Sequence, residues 1–271
     1  MPELQKAFSK QALQPIFTKI EAVRAANPPP RALPKKSERE LKADELRARF
    51  SDIHASLSCC LSWLRQPTAE TFSSFQLDAA EKDQAKALAI SKRFSERLMT
   101  RLLDETHPEA GILFLGFTGT GKTHLAKAIL TDLAARKAPG FFIPASEYFD
   151  LYPPAYAAKL DQPLWKIRQW LASTSCLVID EVGTSAWTDA RKDRLQQIID
   201  LRTANRLPTI VTTNLAQADF DAAGAERIAS RFNQVLYPIK CTWSDFRQRS
   251  ALKPDFGSFK ALKIVGCPAP H

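Results

Sequence analysis

The 271-residue chain has no apolar run near the roughly eighteen residues that a membrane-spanning helix needs. Its opening residues, Met1-Pro2-Glu3-Leu4-Gln5-Lys6, lack the apolar core of a secretory signal. Cysteine is sparse and odd in number: five in all, with Cys59 and Cys60 adjacent and no C-x-x-C pair. That excludes the usual patterns of a disulfide framework and of a zinc ribbon. His54 and Cys59 could in principle share a metal, but their spacing suits packing on a helix better. A cytoplasmic protein with no membrane partner is expected. Acidic charge is also in deficit, with 29 Asp/Glu against 38 Lys/Arg, a net charge of +9 and a pI near 9.4. An acidic partner follows most simply, and nucleic acid is the commonest one. The excess is uneven, because residues 1–66 hold twelve Lys/Arg and only seven Asp/Glu.

What is present starts with Gly116-Phe117-Thr118-Gly119-Thr120-Gly121-Lys122-Thr123, a match to G-x-x-x-x-G-K-[ST]. Gly111-Ile112-Leu113-Phe114-Leu115 before it reads as a buried strand, and the residues from His124 to Leu130 read as a helix. A strand, a glycine loop and a helix N-terminus together form a nest of backbone N–H groups suited to phosphate oxygens. Residues Gly116 to His124 are therefore assigned to nucleotide binding. Lys122 would reach the β- and γ-phosphates of ATP, and the Thr123 hydroxyl would ligate Mg2+.

A second motif bears on the fate of the nucleotide. Cys176-Leu177-Val178-Ile179-Asp180-Glu181 is an apolar run ending in two acids, as for a strand buried on both faces of a parallel sheet. Asp180 would hold Mg2+ through its water shell. Glu181 offers a carboxylate that can orient and deprotonate an attacking water. The pair points to hydrolysis by water and against phosphoryl transfer to a small metabolite.

Along the chain, a short helix is expected over 15–26, followed by the extended Pro28-Pro29-Pro30 connector. Ser37-x-x-Glu40 is a capping box for a helix running to about Arg65. Its apolar positions, Leu46, Phe50, Ile53, Leu57, Cys60 and Leu64, form a coiled-coil-type seam that either packs internally or docks a partner. A boundary at Gln66-Pro67-Thr68 divides a helical N-terminal, partner-binding region (1–66) from an ATPase domain (67–271). Beyond it, a helix over 79–103 carries Ala87, Ile90, Phe94 and Leu98 on one side. Strands at 140–144, 209–213 and 235–242 then alternate with helices at 146–172 and 189–205. That alternation is an α/β doubly wound parallel sheet, with nucleotide at the carboxyl ends of its strands.

The segments GFTGTGKTHL from Gly116, VIDEVG from Val178 and PTIVTTNL from Pro208 resemble AAA+ ATPases of the DnaC/IstB group. The resemblance runs from about Thr71 to Arg249 and is nearer to DnaC-type replicative helicase loaders. It implies a P-loop AAA+ fold in which Asn214 touches the γ-phosphate or the attacking water. Glu226-Arg227-Ile228-Ala229-Ser230-Arg231 resembles the motif that sends an arginine finger into a neighbouring subunit's site, with Arg231 as finger and Arg227 in support. Phe72 to Gln76 resembles the segment beside the adenine base. No full lid domain is expected after the last strand. Arg247 and Arg249 match a C-terminal DnaC-type pattern whose role is open.

The same resemblance implies an ATP-dependent homo-oligomer that grips single-stranded DNA and helps load a DnaB-type replicative helicase. Residues 148–170 correspond to helices that line a DNA channel, and there Lys159, Lys166 and Arg168 lie among tyrosines and tryptophans. Cations can track phosphates while aromatic rings stack on bases. The alternative is an IstB-like regulator of transposition that would grip duplex DNA and recruit a transposase. A small-molecule kinase fits poorly with the Asp180-Glu181 pair.

Overall fold

The computed structural model describes residues 18–19, 36–60, 70–79, 81–104, 111–136, 138, 140–151 and 164–246. Two compact units are distinguished, Met1–Leu41 and Lys42–His271. The expected boundary at 66/67 lies outside the described residues, as does most of the helix expected over 15–26. Helix α1 (Glu38–Cys60) starts at the expected capping box. Ser37 N–H donates to Glu40 Oε2 at 2.7 Å, and Glu40 N–H donates to Ser37 Oγ at 3.3 Å. In the apolar seam, Phe50 is 2% exposed and shares a cleft with Leu98 and Leu102 of α2 (Lys82–Asp104). Phe50 is thus covered within its own unit. Leu57, Cys60 and Leu64 are outside the described side chains.

The remaining elements are β1 (Gly111–Gly116), α3 (Lys122–Ala135), β2 (Phe141–Pro144), α4 (Ala145–Asp150), α5 (Leu164–Ser173) and β3 (Leu177–Val182). After them come α6 (Asp189–Ala204), β4 (Thr209–Thr213), α7 (Gln217–Ala222), α8 (Glu226–Val235) and β5 (Leu236–Cys241). The strands form one sheet in the order β2-β3-β4-β1-β5, with every pairing parallel. Helices cover both faces, so the strands are apolar almost throughout. Leu98, Phe114, Leu125, Ile129 and Phe142 fill the core beneath α2 and α3. Tyr148, Ile167, Leu195, Ile199 and Phe232 fill the core beneath α4 to α8. The doubly wound α/β sheet read from the strand–helix alternation is the observed architecture. Among the described residues no helical lid follows β5.

The strand order places β4 between the P-loop strand and the acidic strand. Phe114 pairs with Thr212, and Ile179 pairs with Val211, so β4 reaches both. A register shift between Ile179 and Val182 marks a bulge at the end of β3.

Arg202, near the C-terminus of α6, is fully buried with no carboxylate among its hydrogen-bond partners. Its Nη1 donates to Leu171 O at 2.7 Å and Thr174 O at 3.0 Å. Its Nη2 donates to Pro208 O at 2.6 Å, and Nε to Thr209 Oγ1 at 3.0 Å. Burial pulls its pKa down to about 10. One side chain thereby fastens the last turn of α6 to α5 and β4.

Candidate active site

The P-loop spans from β1 into α3, and its shape depends on glycine at Gly121. This residue has φ of 85°, and a Cβ there would lie 2.8 Å from the Phe75 ring. Lys122 is buried and donates from Nζ to Gly116 O at 2.8 Å and Phe117 O at 2.6 Å. Its ammonium is therefore held over the loop that would receive the phosphates. Phe117 itself is exposed.

Thr123 Oγ1 donates to both Asp180 carboxylate oxygens, at 2.9 and 3.1 Å. Thr212 Oγ1 donates to Asp180 Oδ1 at 2.6 Å and accepts from the Glu181 N–H at 2.9 Å. Burial pushes the Asp180 carboxyl above the ordinary carboxylate range, and the hydroxyls of Thr212 and then Thr123 oppose that rise. Glu181 has a left-handed backbone, φ 58°, uncommon for a residue with a side chain. The bulge and this conformation turn Glu181 outward while Asp180, one residue earlier, stays buried. Strain of this kind costs about 1–3 kcal/mol and persists where surrounding contacts over-determine it. Here the Thr212 hydroxyl provides the contact.

A cavity of about 250 Å³ unites Thr118 to His124 with Glu181, Thr212 and Asn214. Ser74, Phe75 and Gln76 form its far wall, whereas Phe72 packs into the core under α2 and α3. His124 Nε2 lies 3.0 Å from Thr71 O, and its ring meets Phe75 edge-on at 5.5 Å. Lys127 pairs with Glu70 at 2.8 Å, which ties the same segment to α3.

The segment after β5 completes the loop's support, and sequence reasoning missed it. Trp243 Nε1 donates to Thr120 O at 2.8 Å, and Phe246 N–H donates to Gly119 O at 3.0 Å. Phe117 N–H donates to Cys241 O at 3.2 Å. Asp245 lies so close to Gly119 that a Cβ there would collide with its carboxylate. Trp243 and Phe246 also line the cavity. Thr212 was missed as well, though a threonine in a fully buried strand signals a hydroxyl that needs a partner.

The donors near Asp180 fit magnesium. This hard ion prefers oxygen ligands and usually relies on one or two carboxylates plus substrate phosphates. Asp180 and Thr123 supply that set, and no group of three metal-ligating side chains occurs among the described residues.

Arg227 and Arg231 do not line this cavity. They stand one helical turn apart on the outer side of α8, whose inner side buries Ile228, Ala229 and Phe232. With Gln196, Asp200, Glu226, Ser230 and Gln234 they border a separate, open surface cleft. On α5, Lys166 lies over the Trp170 ring at 5.1 Å, Trp165 is exposed and Arg168 is half-buried. Lys159, Arg247 and Arg249 lie outside the described residues.

Comparison with known proteins agrees with this geometry. The family model described as IstB-like ATP binding protein matches residues 72–230, more than half of the chain. The chain belongs to that family. This family member is also similar to the replicative helicase loader DnaC of Escherichia coli strain K12, at 24% identity over 181 residues. That alignment covers 66% of this chain and 69% of DnaC. It is 32% identical over 113 residues to the insertion sequence IS232 putative ATP-binding protein of Bacillus thuringiensis subsp. berliner, covering 42% and 44% of the two. Among solved structures, the DnaC helicase loader superposes with a TM-score of 0.53 at 23% identity, over 64% of this chain and 97% of that one. Replication initiator DnaA bound to AMPPCP and single-stranded DNA gives a TM-score of 0.52 at 17% identity, over 63% and 49%. The fold is that of the AAA+ proteins, and this IstB-like member is a P-loop ATPase.

Proposed function

We propose that the chain is an ATP-switched replication accessory that assembles with copies of itself, grips single-stranded DNA and helps load a replicative helicase. The observation that carries the reading is the separation of Arg231 from the cavity that holds Lys122, Glu181 and Asn214. A hydrolytic site gains much from a cation on the γ-phosphate. The arginine suited to this stands on an exposed helix face, where a neighbouring subunit's nucleotide could meet it. ATP then favours assembly, and its hydrolysis releases it.

Within one site, Lys122 turns its ammonium from the loop carbonyls to the β- and γ-phosphates. Thr123 and Asp180 would hold magnesium, which neutralises charge on those phosphates. Glu181 accepts a proton as water adds to the γ-phosphorus, and the bond to the ADP oxygen breaks. Asn214, exposed at the end of β4, orients the water or the γ-phosphate.

Mixing two inactive variants tests the reading. Lys122→Ala keeps Arg231 but binds no ATP, whereas Arg231→Ala binds ATP but offers no finger. The mixture should regain hydrolysis. Wild-type turnover by Arg231→Ala alone would refute the shared site.

The helicase assignment draws on the DnaC likeness, and we assign helicase docking to residues 1–66, ahead of the ATPase domain. Because Phe50 is buried, docking falls to other residues of that region. The IS232 relative favours a second reading, a transposition ATPase acting on duplex DNA. Capture of a DnaB-type helicase that is lost on deleting 1–66, together with preference for single strands, supports the first. Capture of a transposase with preference for duplex supports the second.

A further inference from the structure

Arg231 is held by two side chains. Its Nε donates to Asp200 Oδ1 at 2.6 Å, and its Nη1 donates to Gln234 Oε1 at 2.6 Å. The Arg231 and Asp200 side chains are 24% and 42% exposed, so the pair does little for stability. Exposed pairs contribute about 0–1 kcal/mol. Its consequence is geometric. A guanidinium has five N–H donors in a fixed plane, and these two bonds use one at Nε and one at Nη1. Nη2 makes no hydrogen bond among the described residues and remains available to a ligand. The holding group is itself fixed, because Asp200 lies two residues before the buried Arg202 that fastens α6 to α5 and β4. Gln234 lies on α8 with Arg231, so the finger is braced from two helices. The other charged groups at the cleft are Glu226 and Arg227, and neither has a hydrogen bond to Arg231 among the described residues.

We propose that Asp200, seconded by Gln234, is a positioning residue that aims Arg231 at the γ-phosphate of a neighbouring subunit's ATP. This rests on the inter-subunit reading of Arg231 above. A long arginine free to swing would reach the phosphate with a penalty for orientation, while one braced at Nε presents its Nη edge without first breaking a bond.

The test uses the full-length protein in mixtures where one partner donates the finger and the other binds ATP. Donors all carry Lys122→Ala, so they cannot hydrolyse ATP, and acceptors all carry Arg231→Ala. Adding Asp200→Ala to the donor should lower stimulated turnover roughly ten- to a hundredfold. Adding it to the acceptor should leave stimulation and nucleotide affinity unchanged. A merely structural role would weaken both arrangements. Asp200→Asn keeps an oxygen acceptor for Nε and should restore most of the donor's effect. Full stimulation by the Asp200→Ala donor, or a gain, overturns the positioning role. If a donor carrying Arg231→Ala stimulates as well as wild type, the shared-site reading itself fails. Should Asp200→Ala not fold, as shown by a dead acceptor, Gln234→Ala in the donor takes its place, and full stimulation by that donor overturns the proposal.

Discussion

Replacing Thr212 by valine removes one hydroxyl that serves two acidic residues at once. The side chain keeps its shape, but Asp180 Oδ1 loses a donor at 2.6 Å and the Glu181 N–H loses its acceptor at 2.9 Å. A hydrogen bond to a charged group is worth about 1.5–3 kcal/mol, and a buried N–H left unsatisfied costs about 1–3 kcal/mol. Part of that loss releases Glu181 from its left-handed backbone, so the carboxylate no longer stays aimed into the cavity. If about 2.7 kcal/mol of it reaches the transition state, kcat falls roughly a hundredfold. ATP affinity should change far less, since Lys122 and the loop are untouched. Thr212→Ser should recover most of the turnover. The pH dependence adds a second check. The Asp180 pKa is raised on folding, so the folded chain holds this proton more tightly than the unfolded one. For this group, stability is greatest below the ordinary carboxylate value of 3.8 and declines as pH rises through the raised pKa. Without Thr212 the pKa rises further, so the nucleotide-free variant should fall further behind wild type as pH climbs from about 4 to 7. Thermal melts across that range, with single-turnover hydrolysis, measure both effects. Turnover of Thr212→Val within twofold of wild type, or a stability gap independent of pH, would refute the linkage between the two strands.

Arg202→Ala removes four hydrogen bonds and leaves buried carbonyls on α5 and before β4 without their donor. A buried acceptor left unsatisfied costs about 1–3 kcal/mol, and several are exposed to that loss here, so urea unfolding should shift strongly; a midpoint near wild type would contradict the keystone role. Replacing Lys166 and Arg168 by alanine should reduce the slope of log DNA affinity against log salt, read from filter binding at several salt concentrations. An unchanged slope would move the DNA contact away from α5.

The residues legible from sequence are those whose chemistry is local. The P-loop is eight consecutive residues between a strand and a helix, and Asp180-Glu181 ends a continuous apolar run, so neighbours in the chain declare the function. Helix α6 was equally plain, because Leu195, Ile198 and Ile199 repeat with the helical period and are buried. The short helix α7 carries little periodic signal in six residues and was not anticipated. What stayed hidden depends on strand order and on contacts between distant segments. Alternating strands and helices imply a parallel sheet, but nothing in that alternation says that β4 slots between β1 and β3. Only that insertion gives Thr212 its double role. Trp243 reaches Thr120 across 123 positions of sequence, and Asp200 reaches Arg231 across 31. A local motif could name the groups that touch a nucleotide, yet not the groups that aim them. In this fold the aiming groups sit where the chain returns to the same place: at the middle strand, after the last strand, and between α6 and α8. An AAA+ core with no lid among its described residues has a particular need for them. With no lid among the described residues, the P-loop is braced from behind by Trp243 and Phe246. The arginine expected to complete a neighbour's site is likewise braced from below by α6. The loop is held by two bonds to its carbonyls, and Arg231 by two side-chain acceptors, so in both places a group that would meet ATP is aimed by residues the local motif does not contain.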